Sequence, residues 1–211
     1  MADKLKRIQV EEKLKDLGIG IFTPMEFAGF FNVSLKRAAN FISTNLGNSG
    51  SGLFLKLRNN FYIIKDSRPY HYFVANKLYE PSYVSLNTAL SHYGIIPEVV
   101  YAVTSVTTKI PREFNTPIGF FIYQRIKLQA YTGYSLQNMG GKKAFLADPE
   151  KALADYLYFV DLKKVSLNDR LELRKINKAK LKEYVNLFQR KSMLKLMDKI
   201  YVEYRKPYKI Y

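Results

Sequence analysis

Thr23-Pro-Met-Glu-Phe-Ala-Gly-Phe-Phe-Asn-Val-Ser-Leu-Lys-Arg-Ala-Ala-Asn-Phe-Ile-Ser-Thr-Asn45 is the stretch on which the fold turns. Its first four residues supply a threonine N-cap, a proline at the first helical position and a carboxylate at the third, a capping box that opens a short helix over about 24–31. Asn32-Val33-Ser34 breaks that helix, and Ser34 can cap a second one running to about Asn45. There Leu35, Ala38, Ala39, Ile42 and Leu46 recur at helical spacing as one apolar stripe, leaving Lys36, Arg37, Asn40, Ser43 and Thr44 on the other side. Two short helices joined by a three-residue turn read as a helix-turn-helix. The exposed residue types suit DNA: Arg pairs with guanine, Asn with adenine, hydroxyls with either, and Lys with phosphate. The competing reading is an ordinary helical hairpin with a polar solvent face.

The flanking sequence favours the DNA reading. Upstream, Leu5, Ile8, Leu14 and Leu17 predict a helix over about 3–17, stopped by Gly18 and Gly20. Downstream, Leu53–Leu57 and Phe61–Ile64 are β-rich runs joined through Arg58-Asn59-Asn60, where Asn tolerates the left-handed backbone of a tight hairpin. A hairpin directly after a recognition helix is a wing, with Lys56, Arg58, Asn59 and Asn60 placed to hold the DNA backbone or minor groove. The connector Gly47-Asn-Ser-Gly-Ser-Gly52 lacks the glycine order and preceding strand of a dinucleotide loop and reads as a flexible linker. Gly140-Gly141-Lys142-Lys143 lacks the Ser or Thr of a phosphate loop.

Charge points the same way. The 211 residues carry 34 Lys and Arg against 18 Asp and Glu, a formal net charge of +16, which points to a polyanion without naming it. By position the net charge is +5 over 1–68, +3 over 69–165 and +8 over 166–211. No acidic residue falls between Glu26 and Asp66, a window holding Lys36, Arg37, Lys56, Arg58 and Lys65. Solvated surfaces usually interleave both signs, so a one-signed window suggests a phosphate-facing surface.

Other classes recede. The chain has no cysteine, so disulfides, zinc–cysteine sites and thiol catalysis are out, and its 2 histidines, His71 and His92, make a transition-metal site improbable. His92, mid-helix beside Tyr93, reads as a packing or surface residue. No catalytic, metal-binding or cofactor-binding residue is assigned: Asp148 and Glu150 read as a helix cap and a first-turn acid, and the expected strands lack the clustered carboxylates of a magnesium nuclease. Without an apolar run of about 20 residues or a signal-peptide core, a cytoplasmic protein with no membrane association is expected.

Beyond Pro69 the pattern is mixed α and β. A helix begins near 73–78, a capped one runs over 85–93, strands are expected at 99–106 and 118–123 with a polar stretch between, and a helix capped by Asp148 follows to about Tyr158. The fold class is therefore α+β: an N-terminal winged helix-turn-helix over 1–68 and a mixed α/β domain over 69–211 ending in basic helices. In the tail, Leu181, Tyr184, Val185 and Phe188 form one apolar stripe and Met193, Leu196, Met197 and Ile200 another. Lys191, Lys195 and Lys199 form a basic ridge that either contacts a polyanion or is a solvated helix face; a membrane-surface helix is a weaker third reading.

Three stretches of this second domain carry a resemblance. Asn76-Lys-Leu-Tyr-Glu-Pro-Ser-Tyr-Val-Ser-Leu-Asn-Thr-Ala-Leu-Ser-His-Tyr-Gly-Ile-Ile-Pro97 resembles the central motif of the AbiEi-type antitoxins. Val103-Thr-Ser-Val-Thr-Thr108, and the run from Ala144 through Asp148, Pro149 and Glu150 to Asp155, Tyr156 and Leu157, fit the same pattern in order. The resemblance, covering about 73–160, implies a repressor that binds double-stranded DNA at promoter repeats of its own toxin–antitoxin operon. It also implies a second domain that counteracts a nucleotidyltransferase-like toxin in abortive phage infection, without a stable complex. The chain is short for that family and its connector unusually rich in glycine and serine. The alternative is a winged-helix regulator without antitoxin activity, its second domain sensing a ligand or dimerising; a nuclease comes third.

Overall fold

A computed structural model describes residues 5–47, 52–67, 69–139 and 141–204. Helices α1 (Arg7–Asp16), α2 (Pro24–Phe31) and α3 (Leu35–Thr44) come first. The capping box forms as expected: Thr23 Oγ1 accepts from the Glu26 N–H at 3.2 Å, and the Glu26 carboxylate accepts from the Thr23 N–H at 2.7 Å. Asn32, at φ 49°, ends α2, and Ser34 Oγ accepts from the Arg37 N–H at 3.3 Å to start α3. The four residues 48–51 of the Gly/Ser connector lie outside the described residues, as does Gly140 of the second glycine run.

Two of the expected stripes are rearranged. On α1 the buried pair is Val10 and Leu14, while Ile8 and Leu17 are exposed. At 100° per residue, Ile8 and Leu17 stand on opposite sides of the helix and cannot share one face. On α3, Ala38 and Ile42 are buried, but Leu35 and Ala39 face solvent. Phe41 turns the buried face: its ring stacks on Phe27 at 5.7 Å and meets Phe54 edge-on at 6.3 Å, in a core of Phe22, Phe27 and Phe54.

Strands β1 (Phe54–Arg58) and β2 (Phe61–Ile64) form the expected antiparallel hairpin, with Asn60 at φ 64° in its turn. Phe22, between α1 and α2, adds a third rung: Phe22 and Tyr62 exchange two backbone hydrogen bonds of 2.9 Å. The hairpin is apolar on both faces. Phe54, Tyr62 and Ile64 pack into the three-helix core, and Leu57 and Ile63 pack into the core of the rest of the chain. The expected wing is thus a layer shared by two cores, because alternate residues of a strand face opposite sides and both sides here are apolar.

The remaining strands, β3 (Ser82–Val84), β4 (Ala102–Thr107), β5 (Arg112–Thr116), β6 (Gly119–Arg125), β7 (Tyr134–Met139) and β8 (Lys142–Ala147), form one mixed sheet in the order β5-β6-β4-β3-β8-β7. Helices α4 (His71–Leu78), α5 (Leu86–His92), α6 (Pro149–Asp161), α7 (Lys178–Asn186) and α8 (Lys191–Tyr204) complete the described chain, which is α+β with eight α-helices and two sheets among its described residues. Tyr123 pairs with Ser105 and Tyr83 with Val106, so these tyrosines point to opposite faces of the sheet. Tyr123 donates to the Ala75 carbonyl of α4 at 2.6 Å, and Tyr83 donates to Asp155 of α6 at 3.0 Å. Helices therefore cover both faces. β5 overlaps the stretch expected to be polar; as an edge strand it needs no apolar face on its outer residues. His92 is the last residue of α5 rather than mid-helix, packed edge-on against Tyr72 and Tyr93.

One buried ion pair joins these layers. Lys151 and Asp155, one turn apart on α6, are bonded to each other at 0% exposure. Asp155 also accepts from Tyr83 and, at 2.7 Å, from Ser85, whose hydroxyl serves this network instead of capping α5. The Lys151 ammonium lies 4.9 Å from the ring centroid of Phe188, at the end of α7. Burial pushes the Asp155 carboxyl up and the Lys151 ammonium down, and each partner opposes the other's shift. Asp148 and Glu150 likewise hold α7 down. Asp148 accepts from Lys180 and Tyr184 at 3.1 Å each, with no side-chain cap bond of its own, and Glu150 accepts from the Asn177 N–H at 3.1 Å.

Candidate nucleic-acid interface

The exposed face of α3 is built by its buried one. With Ala38, Phe41 and Ile42 turned inward, Lys36, Asn40 and Ser43 fall within one arc on the outer side. Lys36, Asn40, Ser43 and Thr44 are exposed, and Arg37 is half-buried at the edge of the arc. The Lys36, Asn40 and Ser43 side chains make no hydrogen bond or ion pair with other described residues. Thr44 differs: its hydroxyl donates back to the Asn40 and Phe41 carbonyls at 3.0 and 3.1 Å and accepts from Asn45 Nδ2 at 3.4 Å, which leaves it one acceptor lone pair for a ligand.

The hairpin contributes less than its sequence suggests. Lys56 is exposed opposite Tyr62, on the face turned to the three-helix core. Asn59 and Asn60 are exposed at the tip. Arg58, expected at the DNA, is committed elsewhere: its Nε donates to the Leu78 carbonyl at the end of α4 at 2.8 Å, and its guanidinium stacks 4.0 Å from the Phe61 centroid and 5.5 Å from that of Phe114 on β5. Burial lowers its pKa. Arg58 thus clamps the hairpin tip to the large sheet. Arg58→Ala is expected to cost about 1–3 kcal/mol of stability, through the lost charged hydrogen bond and ring stacking, with the salt dependence of DNA binding unchanged. Urea denaturation and a salt titration of DNA affinity check the two halves.

On the C-terminal helices, Leu181, Val185, Phe188, Met193, Met197 and Ile200 are buried and join the large core, as their spacing predicts. Lys191, Lys195 and Lys199 are exposed on α8, and Lys199 lies 3.7 Å from Glu203. No helix among the described residues is long and apolar enough to cross a membrane, and no three His, Asp or Glu side chains among them come together as metal ligands would.

Two side chains have roles here that the sequence did not show. Phe41 sets the rotation of α3, and its signal was its position one residue before Ile42. Glu26, beyond its cap role, pairs with Lys77 of α4 at 2.9 Å. Burial raises its carboxyl, but the bonds to Lys77 and Thr23 outweigh that and hold it below the ordinary range. Searches against protein-family models and against curated proteins found no match to this chain.

Proposed function

We propose that this chain is a DNA-binding transcriptional repressor and antitoxin, which occupies promoter repeats of its own operon and counteracts a nucleotidyltransferase-like toxin. The observation that carries the DNA half is the outer face of α3. Lys36, Asn40 and Ser43 are exposed together, without partners, inside a stretch free of acid from Phe27 to Lys65. The order of three helices and a hairpin, with Phe22 pairing to Tyr62, supports a winged helix-turn-helix, with α3 as the helix entering the major groove. In this reading Asn40 reads a base edge, Lys36 and Arg37 contact phosphate or guanine, and Ser43 and Thr44 add hydroxyl contacts. Lys56, with Asn59 and Asn60, holds the flanking backbone. The antitoxin half rests on the family resemblance of 73–160.

Gel-shift titration against the DNA upstream of its own reading frame tests the first half. Log affinity is expected to fall by about 0.9 per phosphate contact per decade of salt, with a preference for that DNA over unrelated sequence. Binding without any such preference would leave a non-specific basic protein. Co-expression with the neighbouring gene product tests the second half, and absence of rescue from toxicity would reduce the reading to a regulator without antitoxin activity.

A further inference from the structure

A cavity of about 290 Å³ opens where β3 runs out beside β8. These strands pair only at Val84 and Leu146, so the β8 backbone at Phe145, opposite Leu136 of β7 on one side, has no strand across from it on the β3 side. Asn76 of α4 takes that place, accepting from the Phe145 N–H at 2.6 Å and donating to the Phe145 carbonyl at 3.3 Å. The amide satisfies the ladder without filling the space of a strand, and the cavity is what remains.

Its walls are aromatic. Tyr134 meets Phe145 edge-on, with centroids 5.6 Å apart and planes at 89°, and meets Tyr131 at 5.3 Å and 59°. Tyr134 is held from behind by the buried Tyr83, stacked on it at 4.3 Å and itself bonded to Asp155. Ser82 lines the cavity beside the exposed Glu80, but its own hydroxyl is buried without a partner on the opposite face of β3 from Tyr83. No Lys or Arg among the described residues lines this cavity; Lys109, bonded to the Glu80 carbonyl at 2.6 Å, is outside the lining.

Aromatic faces carry negative potential and aromatic edges positive, so a cation set against a ring face is attracted and an anion there is disfavoured. A neutral apolar guest would use the rings and leave Glu80 without a role. An ammonium or guanidinium uses the rings and the carboxylate together. We infer that this cavity binds an organic cation, the head of a free small molecule or of a lysine or arginine side chain of a protein partner. The inference is independent of DNA binding.

Calorimetric titration of the full-length protein tests it with three probes: choline, its uncharged carbon isostere 3,3-dimethylbutan-1-ol, and a peptide bearing trimethyllysine. Saturable binding of at least one cation is expected, with the isostere about tenfold or more weaker than choline. Tighter binding of the peptide assigns a partner's side chain, and tighter binding of choline a free small molecule. Phe145→Leu is expected to weaken the preferred cation about three- to thirtyfold. Because a ring variant could disturb packing, Glu80→Gln at the exposed rim provides the second arm: cation affinity falls several-fold and that of the isostere does not. Equal binding of choline and isostere, or no saturation by either cation, overturns the inference.

Discussion

Replacing Asp155 by alanine is expected to cost about 3–5 kcal/mol of stability, the largest effect of any single substitution considered for this protein. The size follows from what the change strands. Lys151 and Asp155 are both at 0% exposure, so the variant leaves an ammonium in the core without its counter-charge. It also removes the acceptor of two buried hydroxyls, Tyr83 and Ser85, and an unsatisfied buried polar group costs about 1–3 kcal/mol. Lys151 relaxes this in part by losing its proton, which limits the total. Adding Lys151→Met is therefore expected to recover much of the loss, leaving the cost of the two hydroxyls. Urea denaturation followed by circular dichroism reads both variants. A single variant within about 0.5 kcal/mol of the parent would mean that water reaches the pair. Because Tyr83 backs Tyr134, the single variant is also expected to weaken cation binding at the cavity.

The second large effect lies on α3. With α3 reading DNA as proposed, Asn40→Ala is expected to cost about 1–3 kcal/mol of affinity for the operator and to relax preference at one base position, the effect of losing a bidentate amide–adenine contact. Lys36→Ala is expected to weaken operator and unrelated DNA alike and to reduce the salt slope by about 1, the signature of one phosphate contact. Both side chains are exposed and unpartnered, so neither variant should shift the denaturation midpoint by more than about 0.5 kcal/mol. Gel shifts on matched and scrambled operators separate the two roles. Arg37→Ala adds a third measurement: unchanged affinity and sequence preference would remove it from the reading surface.

Exposure along α3 is legible in the sequence, whereas the commitment of Arg58 in the hairpin is not. Along α3 the neighbours that decide exposure are three and four positions away, and the residual error came from leaving out Phe41, which moved Leu35 and Ala39 to the solvent side. In the hairpin, both faces are apolar, and alternation alone does not say whether the second face meets solvent, DNA or another core. Arg58 has the composition of a DNA contact, yet its carbonyl partner is 20 positions away at Leu78 and one of its stacking rings is Phe114.

The same division runs through the whole chain. The sequence by itself determined what short-range chemistry controls: the capping box at Thr23 and Glu26, the turn at Asn32, the start of α6 at Pro149, the buried stripes of α7 and α8, and the acid-free window around α3. Those signals lie within a helical turn or two, where spacing maps directly onto geometry. Tertiary structure alone decided that Asp148 and Glu150 hold α7, that Ser85 serves Asp155 rather than its own helix, and that Asn76, Tyr131, Tyr134 and Phe145 frame one cavity. Ser85 and Asp155 are 70 positions apart, and Asn76 and Phe145 are 69. Over such separations no local periodicity relates two side chains; the order in which strands enter the sheet does.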